Sequence, residues 1–415
     1  MTDTRLQRRW LPRLLRAKLF RRFWSAQTVS LFGDQITALA LPLLAVLGAR
    51  AGPAEMGYLT AAALVPNLLF SLPAGAWIDR YPHKRRIMII ADIGRALLLA
   101  VVPIAFLLDL LTLEQLYIVA FLSGTLSVLF EVSRSTLFVS LVPKQDYLEA
   151  NTLLNGSRAM SFVAGPSVGG ILVQTLTAPI ALLADAVSYL ASAVLLLKIK
   201  PTEPPPSNDR GLGIGHGLRF IAHSPVLRPI LLGTTTLNLF NYMFGALFVL
   251  YVSTELGVTP AQLGAVLGAG ACGALLGAAI TSRTARILGI GRTLVLSFVI
   301  FPAPLLLVPL AGGSTPLVLG MLFAAEFLSG LGVMMLDITA GSVQTAVIPD
   351  ALRARVSGAQ RTINYGIRPV GALLGGTLGA TVGVRPTMWI ATISAIAGVL
   401  WVLAPSVAKL QYLPE

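Results

Sequence analysis

The chain has 415 residues, of which 55% are hydrophobic and only 12% are charged, with a formal net charge of +13. Its mean hydropathy of +0.79 excludes a set of soluble domains and predicts an integral membrane protein. Helices are the expected spanning elements because a helix satisfies its own backbone hydrogen bonds in lipid. The strand-like alternation of membrane β-barrels is absent from the sequence.

Apolar runs of about 20 residues, the length that crosses a bilayer core, recur along the whole chain. The predicted spans number about twelve and run from Phe23 to Leu47, Gly57 to Ile78, Ile87 to Leu108, Leu116 to Val139, Ser157 to Leu176, Pro179 to Leu197, Pro229 to Val252, Gln262 to Ser282, Thr293 to Leu310, Leu317 to Ala340, Thr362 to Val382 and Thr387 to Leu403. The predicted organisation is a basic segment (1–23), a first six-helix half (24–198), a linker (199–225), a second six-helix half (226–405) and a tail (406–415).

Basic residues concentrate in alternate connections, whereas the connections between them carry only Arg50 and Arg385. The positive-inside rule therefore predicts that both termini are cytosolic. This topology accounts for the net charge better than a nucleic-acid-binding surface does. The arginine-rich start fits attraction to anionic lipid, with a transit peptide as the alternative. The basic residues are Arg5, Arg8, Arg9, Arg13, Arg16, Lys18, Arg21, Arg22, Arg80, Lys84, Arg85, Arg86, Lys198, Lys200, Arg210, Arg219, Arg228, Arg283, Arg286, Arg292, Arg353, Arg355 and Arg361.

The second half of the chain repeats the first. Pro143 in LVPKQDYLEAN and Pro349 in VIPDALRARVS stand 206 residues apart. An offset that contains an even number of spans gives both halves the same orientation, related by an axis along the membrane normal. The same offset pairs Gly165 with Gly371, Gly169 with Gly375, Gly170 with Gly376, Glu131 with Asp337, Arg80 with Arg286 and Arg86 with Arg292.

The connection after the second span reads GAWIDRYPHKRR. It contains Gly75, Asp79 and Arg80, followed by the basic cluster of Lys84, Arg85 and Arg86. Two repeated six-helix halves with this loop resemble the major facilitator superfamily, over nearly the whole chain. The resemblance implies an all-α membrane fold in which two pseudo-symmetric halves alternate access to a central cavity.

The resemblance also implies that this connection is a cytosolic gate of the outward-open state. Gly75 would let two helices approach closely, and Asp79 would interact with Arg80 and with a helix N-terminus. The loop departs from the family pattern at Pro82, where a second glycine is usual, and the second half has Ala285 opposite Asp79. A basic topogenic loop with one capping acid is the alternative.

The fifth span carries Gly156, Gly165, Pro166, Gly169 and Gly170. This spacing is similar to the fifth-helix motif of drug/proton antiporters in the superfamily, including the macrolide-efflux and siderophore-exporter group. Small residues every three or four positions make a smooth face for a neighbouring backbone, and the proline permits a bend. The resemblance implies a helix suited to rocking at the interface of the halves, and export rather than uptake. Ordinary helix packing is the alternative.

Charged residues inside spans are costly, and most have a function. Asp34 lies seven residues after Gln27, on the same face of the first span, with no basic residue one turn away in that span. A carboxyl group that is desolvated in a cavity binds a proton more readily than one in water. Asp34 is therefore the first candidate for the proton carrier, with a fixed interhelical pair as the alternative.

Glu131 is the second candidate for proton coupling, although Arg134 follows it by one turn and can neutralise it. Asp92 and Arg95 have the same spacing and are interpreted as a structural pair. The arginine that the superfamily usually has near the start of the fourth span is absent from LEQLYIVAFLSGTLS. The departure limits how far the proton mechanism of other drug exporters transfers to this chain.

Polar residues in the spans of the second half are expected to line the substrate cavity, with interhelical hydrogen bonding as the alternative. Together with Gln27, they are Asn238, Asn241, Tyr242, Glu326, Asp337, Arg361, Asn364 and Tyr365, with Arg368 on the same stripe as the last three.

Sequence patterns for metal binding, disulfide bonding and nucleotide binding are weak or absent. His83, His216 and His223 lack metal-ligand spacing, and Cys272 is the lone cysteine. The run GLGIGHG lacks the strand, helix and Lys-Ser/Thr ending of a phosphate loop. No enzyme activity, metal, cofactor or ATP-driven step is expected, and the proton gradient is the expected energy source.

The prediction is a monomeric exporter of an amphipathic small organic molecule in a bacterial inner membrane, exchanging its substrate for protons. Its expected partners are the substrate, protons and the lipid bilayer, without nucleic acid. A proton-coupled importer, a lipid flippase of the same fold and a membrane scaffold without transport remain the alternatives.

Overall fold

The computed structural model describes residues 12–81, 83–200, 214–349 and 352–412, without the side chains of 72, 76, 79, 214 and 354. These residues are almost entirely helical and contain twelve long helices. The helices are α1 (Lys18–Leu43), α2 (Pro53–Arg80), α3 (Lys84–Leu107), α4 (Leu113–Leu141), α5 (Tyr147–Leu176), α6 (Ala178–Leu197), α7 (Leu227–Thr254), α8 (Pro260–Leu288), α9 (Ile290–Ile300, continued by the shorter helices Ala303–Leu306 and Leu307–Leu310), α10 (Thr315–Val347), α11 (Arg353–Val382) and α12 (Val384–Ala397, continued by Val399–Val402).

Within the described part of the chain, ten of these helices are long and apolar enough to cross a membrane. The other two, α2 and α11, pack against each other, so part of their surface is covered by protein rather than lipid. The prediction of twelve helices in two six-helix halves is confirmed, and the chain is a multi-pass membrane protein. Several helices extend beyond the predicted spans, because hydropathy detects only the apolar portion of a helix. For example, α5 begins at Tyr147 and not at Ser157.

Equivalent helices pack in the same way in the two halves. Helix α1 contacts α5 and α6, and α7 correspondingly contacts α11 and α12. Helix α4 packs on α2 as α10 packs on α8. The repeated pattern confirms the pseudo-symmetry that the offset of 206 residues predicts.

The glycines of α5 and α11 take equivalent places in these contacts. A Cβ atom at Gly165 would meet Gln35 of α1, and one at Gly371 would meet the Leu239 carbonyl of α7. Gly170 and Gly376, by contrast, face helices of the opposite half. The two halves therefore meet mainly along two helix pairs, α5 with α8 and α2 with α11, with smaller contacts of α1 and α2 on α7.

Both inter-half contacts lie near the same end of the helices. We call the end that holds the α2–α3 and α4–α5 connections the basic end, and the other the opposite end. At the opposite end, Gly57 packs against Ala372 and Gly376, and Gly170 packs against the Pro260 carbonyl. Across the α5–α8 contact, the Gln174 side chain accepts a hydrogen bond of 3.1 Å from the Ala261 backbone amide.

The halves separate toward the basic end. A Cβ atom added at Gly75, Gly156, Gly341 or Gly358 would have no heavy atom of another helix within 4 Å. These glycines lie on α2, α5, α10 and α11, in the portions nearest the basic end. The protein is thus closed at the opposite end and open at the basic end.

A ten-residue helix, Ile214–His223, lies inside the predicted linker 199–225 and packs on the start of α11. Its Gly217 lies directly against the Arg355 carbonyl, so a larger residue would not fit there. Part of the connection between the halves is therefore folded onto the second half.

Candidate transport cavity

The first half encloses a cavity of about 430 Å³ between α1, α2, α4 and neighbouring helices. Most of its wall is apolar, with side chains such as Leu31, Leu59 and Ala63. Its polar and charged lining residues are Gln27, Ser30, Asp34, Thr37, Thr60, Arg95, Ser123, Ser127, Glu131 and Tyr189. The sequence-predicted residues Gln27, Asp34 and Glu131 therefore share one cavity.

Arg95 of α3 is the centre of the charges in this half. Only 2% of the residue is exposed, and its Nη2 donates a hydrogen bond to the fully buried carboxylate of Asp92. Its guanidinium lies 4.0 Å from the centre of the Tyr189 ring and 4.6 Å from that of Phe130. Arg95 Nη1 also lies 3.8 Å from Asp34 Oδ1. The expected Asp92–Arg95 pair is present, and it reaches the proton candidate as well.

Asp34 has two partners from other helices. The Tyr189 hydroxyl of α6 donates to Asp34 Oδ1 over 2.6 Å, and Arg95 provides the longer ion pair. The Asp34 side chain is still 38% exposed to the open cavity. Asp34 therefore combines an interhelical ion pair with direct access to water in the cavity, and its role in proton coupling stays a prediction.

Glu131 is neutralised within its own helix. Arg134 Nη2 and Nε donate to Glu131 Oε2 at 2.6 and 3.1 Å. Both side chains are partly exposed, and an exposed pair of this kind contributes little to stability. Glu131 is thus a less suitable proton carrier than Asp34, because a proton would have to displace a close arginine.

Asp185 of α6 is a buried acid that the sequence reasoning missed. Its two carboxylate oxygens accept hydrogen bonds from Thr37 (2.5 Å) and Ser188 (2.8 Å). The residue is fully buried against Gly33 of α1. In the described part of the chain it has no cationic group within 4 Å. Asp185 is the one acid of an apolar span, and this position is the sequence signal that could have identified it as a candidate functional residue.

The second half encloses a more polar cavity of about 570 Å³ between α7, α10 and α11. Eight of the sequence-predicted polar residues lie on its wall: Asn238, Asn241, Tyr242, Asp337, Arg361, Asn364, Tyr365 and Arg368. Glu326 is outside this lining. It is three turns closer to the opposite end than Asp337 on the same helix, and it packs against Gly270 of α8.

At Gly75, the glycine of the expected cytosolic gate, an added Cβ atom would have no heavy atom of another described helix within 4 Å. Arg80 and Arg86 are exposed, and Lys84 is buried. Arg85 donates a hydrogen bond to the Ile199 carbonyl, which ties the start of α3 to the end of α6. The Asp79 side chain and Pro82 lie outside the described residues.

The fifth-helix glycines divide between two neighbours. Gly165 and Gly169 face Gln35 and Ile36 of α1, within the same half. Gly170 and the Pro166 carbonyl instead face α8 of the other half, at Pro260 and Gly264. Gly156 faces open space. The inter-half contact therefore rests on the second part of the motif.

Residues 9–413 match the family model described as transmembrane secretion effector. The chain belongs to this family of the major facilitator superfamily, whose members are transporters without a cofactor and not enzymes. It is similar to the multidrug efflux pump Tap of Mycolicibacterium fortuitum, with 26% identity over 91% of this chain and 94% of that protein.

Two further similarities agree with this assignment. The uncharacterized MFS-type transporter YfiS of Bacillus subtilis is 27% identical over 87% of this chain and 86% of its own. The fold also resembles a bacterial homologue of the iron transporter ferroportin in an inward-facing state, with a TM-score of 0.76 at 17% identity. That likeness covers 95% of this chain and all of the other.

Proposed function

We propose that the protein is a secondary active transporter that exports an amphipathic small organic molecule from the cytosol in exchange for protons. The observation that carries the proposal is an acid, Asp34, that has an arginine and a tyrosine partner and is still 38% exposed to a cavity. The described parts of the two halves touch near the opposite end and separate toward the basic end. The similarity to a multidrug efflux pump supports export. The expected setting is a bacterial inner membrane, with the protein acting as a monomer.

In the proposed cycle the basic end faces the cytosol, and substrate enters the open cavity there. The halves then rock, so that the opposite end opens and the basic end closes. Protonation of Asp34 would weaken its attraction to Arg95 and so change the energy of the two states. Substrate and proton can shift this equilibrium only through different affinities for the two states.

The proposed orientation predicts which connections are reachable from outside the cell. In a Cys272→Ser background, Ser314→Cys at the opposite end and Gln145→Cys at the basic end each place one thiol in an exposed connection. A membrane-impermeant maleimide applied to intact cells is expected to label position 314 and spare position 145. Lysed cells serve as the control in which both are labelled, and labelling of position 145 in intact cells would reverse the orientation.

Everted membrane vesicles test the direction of transport. With an acidic vesicle lumen, from which protons flow outward in exchange for substrate, we expect uptake of one or more compounds from a panel of lipophilic cations, macrolides and siderophores. Flux in the reverse direction would identify an importer, and movement of fluorescent phospholipid alone would identify a flippase. The absence of all flux by protein that is folded and inserted would favour a scaffold.

A further inference from the structure

The second-half cavity carries more positive than negative charge. Its ionised side chains are two arginines, Arg361 and Arg368, and one acid, Asp337. Neither guanidinium has a carboxylate of the described residues within 4 Å. In the first-half cavity, by contrast, Arg95 and its acids are in contact. Arg368 lines a cavity within a membrane without a close counter-ion, which indicates a site for a negatively charged ligand. Arg361 adds positive charge two turns nearer the basic end of α11.

Arg368 is held in place by neutral groups. Its Nε donates to Asn238 Oδ1 over 2.9 Å. The guanidinium carbon lies 4.2 Å from the Tyr365 ring centre and 5.0 Å from that of Tyr242. These contacts fix the plane of the group, and no carboxylate of the described residues lies within 4 Å of its nitrogens. A fixed fork of two N–H donors matches a carboxylate or a phosphate.

A buried donor on the same wall lacks an acceptor. Gln360, one residue before Arg361, is only 7% exposed and lines this cavity. Its Nε2 has no hydrogen-bond partner. A buried donor without a partner is costly, and a ligand oxygen would remove that cost.

We propose that this cavity binds the anionic group of the substrate, with Arg368 as its principal contact and Arg361 and Gln360 as further donors. The transported molecule would then be an amphipathic organic anion, whose apolar part lies against side chains such as Leu31 and Leu59 of the first half. The inference rests on the proposed transport function and narrows its substrate class. Arg368 lies near the middle of α11, so both access states can present it to the cavity.

A matched pair of fluorescent probes tests this inference at equilibrium. Dansylglycine carries a carboxylate, and dansylglycinamide is the same molecule with a neutral amide. With full-length protein in lipid nanodiscs, corrected for empty nanodiscs, we expect dansylglycine to bind about tenfold more tightly than the amide. Arg368→Gln is expected to bring the ratio near one, and Arg368→Lys to restore part of it. Arg283→Gln, an exposed arginine of α8, should leave the ratio unchanged.

Equal affinities in the wild type, no saturable binding of dansylglycine, or an unchanged ratio in a folded Arg368→Gln protein would each overturn the inference. Size-exclusion profiles establish folding of the variants, and the lysine variant gives an independent readout of charge. No proton gradient enters the measurement. Preserved selectivity without coupled flux would therefore contradict the transport proposal alone, whereas flux of neutral or cationic compounds with a ratio of one would contradict this inference alone.

Discussion

Replacing Gly170 by alanine is expected to open the closed end of the protein, whereas the same change at Gly156 is expected to leave it closed. A Cβ atom at position 170 would overlap the Pro260 carbonyl and lie 3.1 Å from the Ala261 Cα atom. Both are backbone atoms of the other half, so no rotamer change can relieve the clash. At position 156 the added carbon meets no atom within 4 Å.

The size of the effect follows from the cost of overpacking, about 1–3 kcal/mol. Such a cost applies only to the state in which α5 and α8 touch, and it shifts the ratio of the two states by about 5- to 150-fold. Spin labels on Thr175→Cys and Ser314→Cys, in a Cys272→Ser background, report the distance between the halves at the opposite end. We expect Gly170→Ala to populate a longer distance and Gly156→Ala to match the parent. Identical distributions in all three proteins would show that this contact does not govern closure.

Removing Arg95 is expected to destabilise the first half strongly. Arg95→Met would leave the Asp92 carboxylate, which is fully buried, without its cation and its hydrogen-bond donor. Breaking a buried ion pair from one side typically costs about 3–5 kcal/mol. We therefore expect Arg95→Met to lower the melting temperature of the purified protein by roughly 5–10 °C, measured by loss of the monodisperse fraction after heating.

The double variant Arg95→Met with Asp92→Leu separates charge from packing. Apolar side chains of similar volume can replace a buried ion pair at little cost in stability, so much of the lost melting temperature should return. Asp34 also loses its arginine partner in this variant, but it remains solvated because its carboxylate is exposed to the cavity. A single variant as stable as the wild type would show that this charge cluster does not stabilise the fold. A double variant no better than the single would assign the loss to packing.

The spans, the two halves and the repeat can be read from the sequence because each depends on local composition or on a fixed offset. Lipid selects long apolar segments, and the glycines of α5 and α11 recur at the same spacing. Seven of the nine residues predicted to line the substrate cavity share the second-half cavity, because helical periodicity puts them on the inner faces of their helices. Gln27 lines the first-half cavity instead, and Glu326 lines neither.

The contacts between helices could not be predicted from local composition or from the repeat. Asp92 and Arg95 form the expected local pair, but nothing in the sequence indicates that Arg95 also reaches Asp34 from another helix. Tyr189 and Thr37 become partners of acids only once α1 and α6 pack together. Glu326 shows that the position of a residue along its helix is also hard to predict. Its helix face was correctly paired with that of Asp337, but its depth along α10 places it beside α8 rather than in the second-half cavity.

Proton exchange through Asp34 can be measured directly with purified protein in liposomes that contain a pH-sensitive dye. An imposed proton gradient is challenged with the compounds that the everted vesicles accumulate. Wild type and Glu131→Gln, whose native acid is already paired with Arg134, are expected to move protons when substrate is added. Asp34→Asn is expected to lose this movement. Coupling by Asp34→Asn that equals the wild type would contradict the account, because the carrier would then be another group.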